Sequence, residues 1–409
     1  MSTLAVAEAV RPVSQPAKVR RRIIAFGASL AFLSFLDRAA ISQAAPYISR
    51  DLHLSAWQMG LVFSAFGFTY AAGEIPSGWL CDRYGARNLL TRVVIGWSLF
   101  TAATGWVWNF SSLFVTRLLF GLGESGCFPA LARVFRTWLT PEERSAAEGI
   151  KAASARWGAA ITPLLMTSLF MVFTWRQVFG IFGVVGIIWA IIFYLGYRDA
   201  PRAVVERHTF DWRALTRSRS VWALSAQWFC HYYGFYFYIT WLPLYLYQSR
   251  GLDLRKGALA AGLPLFTAGL GSLVAGWAQT ALTRRLQDPL KARRLLGYLA
   301  YGGASLLLVA FTWIDDPMLA MFIMSLSSFA AEFSGPISWT TAMDIGGERV
   351  GAVSGFMNTF GHLGGSVAPA VTGLLLSVTG NSWTTVFLVS ALIYAAGALC
   401  WRWIELSEI

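Results

Sequence analysis

Charge is scarce in this chain of 409 residues. Asp, Glu, Lys and Arg make up 13% of it, against about 25% in soluble domains. Lysine is nearly missing, with Lys18, Lys151, Lys256 and Lys291 the only four among 33 basic residues. Cysteine is confined to Cys81, Cys127, Cys230 and Cys400, far apart and each in or beside an apolar run. They have neither metal-ligand spacing nor the pattern of a disulfide framework, so they read as small packing residues. No nucleotide-binding P-loop, metal cluster or nucleophile constellation occurs, which leaves no basis for an enzyme, an ATP-driven pump, a bound metal or a cofactor. The apolar run after Lys18, Arg20, Arg21 and Arg22 has no small-residue cleavage site, so it reads as a signal anchor rather than a removed peptide.

What is present is apolar: 56% hydrophobic residues, 15% aromatic. Such a chain belongs in a bilayer, where a spanning helix takes about 20 apolar residues. Apolar segments recur near 23–47, 57–80, 89–108, 112–135, 146–171 and 176–197, and again near 221–247, 256–282, 295–314, 317–343, 350–378 and 383–404. The arginine-rich stretch between the two groups (Arg198, Arg202, Arg207, Arg213, Arg217, Arg219) divides the chain. The expected organisation is a tail over 1–22, a six-helix unit over 23–197, a linker over 198–219, a second unit over 220–404 and a short tail over 405–409.

The net charge of +12 is no mark of nucleic-acid binding, because it follows topology. With the N-terminus inside, 25 basic residues fall in inside pieces and 5 in outside pieces, leaving Arg38, Arg117 and Arg156 within spans. This asymmetry predicts an even number of spans with both termini cytoplasmic. The halves also echo each other. Gly149, Gly158 and Pro163 recur 206 residues later as Gly355, Gly364 and Pro369. Gly78-Trp79 has a counterpart in Gly276-Trp277, and Glu124 with Pro129 a looser one in Glu332 with Pro336. Repeated six-helix halves fit a secondary transporter with its substrate at the midplane.

The stretch from Gly78 to Arg87 (Gly78-Trp79-Leu80-Cys81-Asp82-Arg83-Tyr84-Gly85-Ala86-Arg87) closely resembles the loop signature of the major facilitator superfamily. Gly78 permits close helix approach and Gly85 a tight turn, while Asp82, Arg83 and Arg87 are suited to bind helix ends and partner charges. Three further stretches resemble the anion:cation symporter branch, which includes bacterial galactonate, glucarate and hexuronate transporters and mammalian sialin. They are Phe35-Leu36-Asp37-Arg38 with Ala45-Pro46, the run Arg117 to Glu124 through Pro129, and Met343-Asp344-Ile345-Gly346-Gly347 followed by Ser354 to Asn358 and Gly364-Gly365. The resemblance covers the chain after residue 22. It implies an all-α membrane protein of twelve transmembrane helices in two pseudo-symmetric six-helix bundles, a monomer in a bacterial inner membrane.

Ionisable residues inside spans cost at least about 2.5–3.5 kcal/mol on insertion scales, so each needs a partner, a water-lined cavity or a function. Asp37 and Arg38 leave an ideal helix about 100° apart and should address different neighbours. Arg117 and Glu124 are seven residues apart, hence within about 20° of one face. The surplus of buried arginine points to an anionic ligand. In sugar-acid symporters of the branch, positions matching Asp37 and Glu124 are proton-coupling carboxylates. Those matching Arg38 and Arg117 serve substrate binding and charge pairing, and Tyr70 matches a binding-site tyrosine. The implied activity is proton-coupled symport of a small organic anion, most simply a sugar acid or related carboxylate, by alternating access.

Other positions stay open. Arg156 either binds a second substrate carboxylate or pairs with Glu124 or Glu74. Its pseudo-symmetric counterpart His362 is either a second proton carrier or a hydrogen-bonding substitute for the Asn often found in the branch. Asn358 is a further candidate substrate contact. His231 enters an aromatic run in which Tyr233 and Tyr236 are candidate ligands for a polyhydroxy substrate. Glu74, before Ile75-Pro76, reads as structural; Glu332 and Asp344 are suited to bind charges at the tenth segment, with the latch role falling to Asp344. Asn109-Phe110-Ser111 forms a glycosylation triplet, but in a short loop. The competing readings are a proton-coupled exporter of drugs or metabolites, which would more often present carboxylates alone, and a transporter-like receptor that binds without translocating.

Overall fold

The computed structural model describes residues 17–54, 56–199, 212–242, 245–246, 254–380 and 382–407. Most of the predicted N-terminal tail, most of the 198–219 linker and Pro243 therefore lie outside the described residues. Within them the chain is helical, without strands. The first half comprises α1 (Ala17–Asp51), α2 (Ala56–Tyr84), α3 (Ala86–Thr104), α4 (Phe110–Glu124), α5 (Cys127–Trp138), α6 (Pro141–Phe170) and α7 (Trp175–Gly196). A short α8 (Trp212–Arg217) precedes the second half. That half comprises α9 (Arg219–Thr240), α10 (Leu254–Leu286), α11 (Pro289–Phe311), α12 (Pro317–Glu332), α13 (Ser334–Gly346), α14 (Val350–Val378) and α15 (Trp383–Cys400).

The fourth and tenth apolar segments, expected as single runs, are each two helices. Both breaks fall directly after a carboxylate, Glu124 ending α4 and Glu332 ending α12. Counting α4–α5 and α12–α13 as one crossing each gives two sets of six. At the first break Ser125 is extended and Gly126 is left-handed at φ 82°. A Cβ there would also run into the Ser77 side chain. Glycine meets both demands.

The polarity of the molecule is inverted relative to a soluble protein. Asp37, Glu74, Arg117, Glu124, Glu148, Lys151, Arg156 and Glu332 are all buried. The outer face of α7, by contrast, exposes Val184, Ile188, Ile191, Ile192 and Leu195. Large exposed apolar faces of this kind require a lipid environment. Trp106, Trp108 and Trp313 are exposed in turns at one end of the bundles, as expected of an interfacial belt. Among the described residues, seven helical stretches are by themselves long and apolar enough to cross a membrane. α2, α3, α6 and α9 are not among them. Three of these four carry Glu74, Arg156 or His231 into the interior, where such residues face protein rather than lipid.

The repeated glycines occupy equivalent joints. Gly158 of α6 lies against the Phe32 backbone of α1, and Gly364 of α14 lies against the Phe229 backbone of α9. One turn or more away, Gly149 of α6 meets the Ser272 carbonyl of α10, while Gly355 of α14 meets the Glu74 carbonyl of α2. A Cβ would come to 2.5 Å from the oxygen at 149 and 2.7 Å at 355, so only glycine admits these approaches. Each half thus contributes one helix that crosses to the other half, α6 onto α10 and α14 onto α2.

Candidate substrate and proton site

Four helices of the first half bring the predicted charges together. Asp37 and Arg38, adjacent in α1, diverge as helical geometry requires. Asp37 is buried beside Trp97 and Thr101 of α3 and within the field of Arg117. Arg38 turns to α4, where its Nε donates to Glu124 Oε1 at 3.0 Å. Ser34 Oγ donates to the same oxygen at 2.5 Å. Glu124 Oε2 and Arg38 Nη2 are buried without a hydrogen-bond partner. The guanidinium sits among aromatic faces, 4.4 Å from the ring centre of Tyr70, 5.0 Å from Phe35 and 5.1 Å from Phe66. Stacking of this kind holds an arginine in place while leaving its edge to donate. Arg117 lies 4.0 Å over Phe120 and makes no ion pair among the described residues, although Glu124 and Asp37 both act on it. The two residues of α4 share one interior, but Glu124 pairs with α1 and Arg117 neighbours Asp37.

The second half closes this space with polar groups that are only partly used. His362 of α14 lies tilted 4.3 Å from the Tyr70 ring and edge-on 5.0 Å from that of Tyr232, with neither ring nitrogen bonded. Asn358 Oδ1 accepts from Trp228 Nε1 at 3.2 Å, and its Nδ2 has no partner. The Tyr70 hydroxyl is likewise buried and unpaired. Glu74 accepts from the Gly126 backbone N–H at 3.3 Å, at the head of α5, a tie that steadies the break between α4 and α5. Of the candidate tyrosines, Tyr236 faces Arg38, and so does Tyr232, one turn earlier on the same helical face. Tyr233 is buried on another face of α9. Tyr232 is a residue that sequence reasoning passed over, although its spacing of four from Tyr236 put it on one stripe.

Arg156 has a partner outside the two that the sequence offered for it. It pairs neither with Glu124 nor with Glu74. Its Nε and Nη2 both reach Glu332 Oε1 of α12, at 2.9 and 2.7 Å. Phe235 packs under the guanidinium at 3.6 Å, and Phe35 lies 5.5 Å away. Glu332 Oε2 accepts from Ser272 Oγ at 3.2 Å, and His231 Nε2 stands 3.6 Å from Oε1. This bridge ties the two bundles together.

The signature loop builds a second junction, at the end of the bundles where α2 meets α3. Asp82 accepts from the backbone N–H groups of Gly351 and Ala352, at 3.1 and 2.9 Å, and pairs with Arg133 at 2.8 Å. A carboxylate from one half thereby caps the first turn of α14 in the other. Gly78 and Gly351 meet backbone to backbone beside it. Gly85 turns at φ 90°. Arg87 donates to the Tyr194 carbonyl at 2.7 Å, while its backbone N–H reaches Asp199. Arg83 lies over Trp79 at 5.3 Å. Asp344 takes Arg144 from the first half at 3.3 Å and Arg293 from the second at 2.5 Å. Lys151, counted among loop charges by topology, is in fact buried against Glu148 one turn earlier, with Trp339 of the second half 4.2 Å from its Nζ. Asn109 serves as the N-cap of α4, its side chain accepting from Ser112 N at 2.9 Å.

These features define a membrane transporter built of two six-helix bundles around a charged centre. Residues 27–369 match the family model of the Major Facilitator Superfamily, and the chain belongs to that superfamily. It is 32% identical over 407 residues to the probable sulfoacetate transporter of Cupriavidus necator, covering 95% of this chain and 94% of that protein. It is 28% identical to the hexuronate transporter of Bacillus subtilis, over 85% of this chain and 86% of that one. The D-galactonate transporter of Escherichia coli is also 28% identical, over 89% and 91%. These relatives belong to the anion:cation, sugar-acid branch expected from the motifs. Among solved structures, the proton:xylose symporter XylE aligns with TM-score 0.79 at 13% identity, over 94% of this chain and 96% of that one. The human organic anion transporter MFSD10 aligns at 0.76 and 16%, over 95% and 100%. At such identities the likeness concerns the fold. The chain is a transporter, not an enzyme.

Proposed function

We propose that the protein is a proton-coupled symporter of small organic anions that carry a carboxylate, a sugar acid being the simplest case. It acts as a monomer in a bacterial inner membrane with both termini cytoplasmic. The reading rests on one observation above all: Arg38 spends its Nε on Glu124 and keeps Nη2 buried without a partner. A guanidinium held by aromatic faces and half neutralised by a carboxylate is poised to exchange that carboxylate for one from a ligand. Sulfoacetate, hexuronate and galactonate, named for the relatives above, share the carboxylate that this exchange requires.

In this cycle a proton on Glu124 weakens its pair with Arg38, which then takes the substrate carboxylate through both edge nitrogens. A proton on Asp37 removes the negative charge facing Arg117. One proton taken up for each negative charge that enters keeps the buried charge constant, which lowers the cost of moving the anion through the bilayer. Tyr70, Asn358, His362 and Tyr236 offer hydrogen bonds to hydroxyls. The Asp82 and Asp344 junctions open and close as the bundles rock.

The test is uptake of galactonate, glucuronate and sulfoacetate into proteoliposomes under an imposed pH gradient. Asp37→Asn should cut gradient-driven uptake of the transported anion at least about tenfold, the equivalent of ~1.4 kcal/mol, while binding persists. Undiminished gradient-driven uptake would overturn the coupling role.

A further inference from the structure

The second bundle holds a carboxylate that this cycle leaves unused. Glu332 ends α12 as Glu124 ends α4. Ser34, which donates to Glu124, stands two residues after Phe32; His231, which faces Glu332, stands two residues after Phe229. Phe32 and Phe229 are the residues met by the paired glycines Gly158 and Gly364. The pseudo-twofold axis therefore sets an imidazole where the first bundle has a hydroxyl.

Ser334 Oγ has one hydrogen and lies 2.9 Å from the Ala331 carbonyl and 3.0 Å from His231 Nδ1. With that hydrogen on the carbonyl, Oγ accepts from Nδ1, which then carries the ring hydrogen. A neutral ring then has a bare Nε2, buried and unbonded, 3.6 Å from Glu332 Oε1. Two lone pairs would face each other there; a proton on either group makes the contact attractive. The same Oε1 carries both bonds from Arg156, while Ser272 Oγ divides its one hydrogen between Glu332 Oε2 and the Ala268 carbonyl, each at 3.2 Å. Arg156 is thus held through a single oxygen, short of the two-oxygen fork that makes such pairs strong.

We propose that Glu332 and His231 form a proton-binding site, and that a proton there releases Arg156 to take a second acidic group of the substrate. Arg38 and Arg156 then make a two-cation site for short dianions. This rests on the reading of the chain as an organic-anion transporter. The guanidinium carbons of Arg38 and Arg156 lie 5.0 and 5.5 Å from the Phe35 ring centre, so they are at most 10.5 Å apart. A bidentate carboxylate sits with its carbon about 4 Å from the guanidinium carbon, so this upper limit keeps the two cations within the span of a short dianion. A monocarboxylate reaches one. The titratable groups around Glu332 are Arg156 of α6, His231, Tyr232 and Tyr238 of α9, Tyr301 of α11 and Tyr394 of α15.

The experiment measures binding of malonate and sulfoacetate, with D-gluconate as the monoanion, to the full chain in nanodiscs at pH 6.5 and 8.5. The wild type should bind a dianion severalfold tighter at pH 6.5, because the proton that frees Arg156 is bound at the lower pH. Arg156→Gln should reduce the preference for dianion over gluconate at least tenfold, and Arg156→Lys should recover part of it. Glu332→Gln should abolish most of the pH step and serves if Arg156→Gln does not fold. An unaltered preference in Arg156→Gln, or a full pH step in Glu332→Gln, overturns the proposal. Gluconate binding without dianion binding overturns this subsite alone. Binding of none of the three anions to the wild type overturns the organic-anion reading, and the subsite falls with it.

Discussion

Lys151 and Glu148 illustrate how far a single side chain departs from what its place in the sequence implies. By charge counting Lys151 is a loop residue that helps fix topology; in the fold it is buried, one turn from Glu148 and against Trp339 of the other bundle. Removing one member of a buried pair strands the other charge, at a cost of about 3–5 kcal/mol, whereas removing both with similar volume is near neutral. Lys151→Met should therefore lower the stability of the purified protein sharply, and Glu148→Gln combined with Lys151→Met should restore most of it. Chemical denaturation in detergent separates these outcomes; equal losses in single and double variants would show that the pair is not energetically linked. The divergence of Asp37 from Arg38 was legible, because it follows from 100° per residue. The partner of Arg156 was not. Glu332 is 176 residues away, and periodicity within a helix carries no information about which distant helix faces it.

At the scale of helices, the twelve apolar segments were legible because spanning length is set by the bilayer. The breaks in the fourth and tenth were not, since both halves of each segment are apolar and continuous hydropathy hides a change of direction. Gly126 carries the first break in its positive φ, a conformation glycine adopts freely. Gly126→Ala would force a Cβ into the left-handed region and into Ser77, with an expected loss of about 1–3 kcal/mol. Gly180, in α7, has open space around it, so Gly180→Ala should be neutral or stabilise by up to about 1 kcal/mol. Melting temperatures of the two variants, side by side, test whether conformation and proximity, rather than the loss of glycine as such, decide the outcome.

For the whole molecule, the signature loop made one junction legible in kind but not in detail. The sequence supplied an acidic residue suited to a helix end; only the fold identifies that end as the start of α14 in the opposite bundle. Asp82→Ala removes two backbone acceptor contacts and the pair with Arg133 together. The population should shift towards the state open at that end. Maleimide labelling of Ala352→Cys, in a background without the native cysteines, should rise severalfold with Asp82→Ala; labelling that stays at the parent level would show that other contacts hold the closure. The glycine joints carry a further consequence. At Gly149 and Gly355, peptide backbone of one bundle rests on backbone of the other with no side chain interlocked between them. In the rocking cycle proposed above, such contacts would work as a pair of bearings, letting the halves swivel with few rotamers to reset. Resistance to that stroke would then concentrate in the ion pairs at Arg156, Asp82 and Asp344.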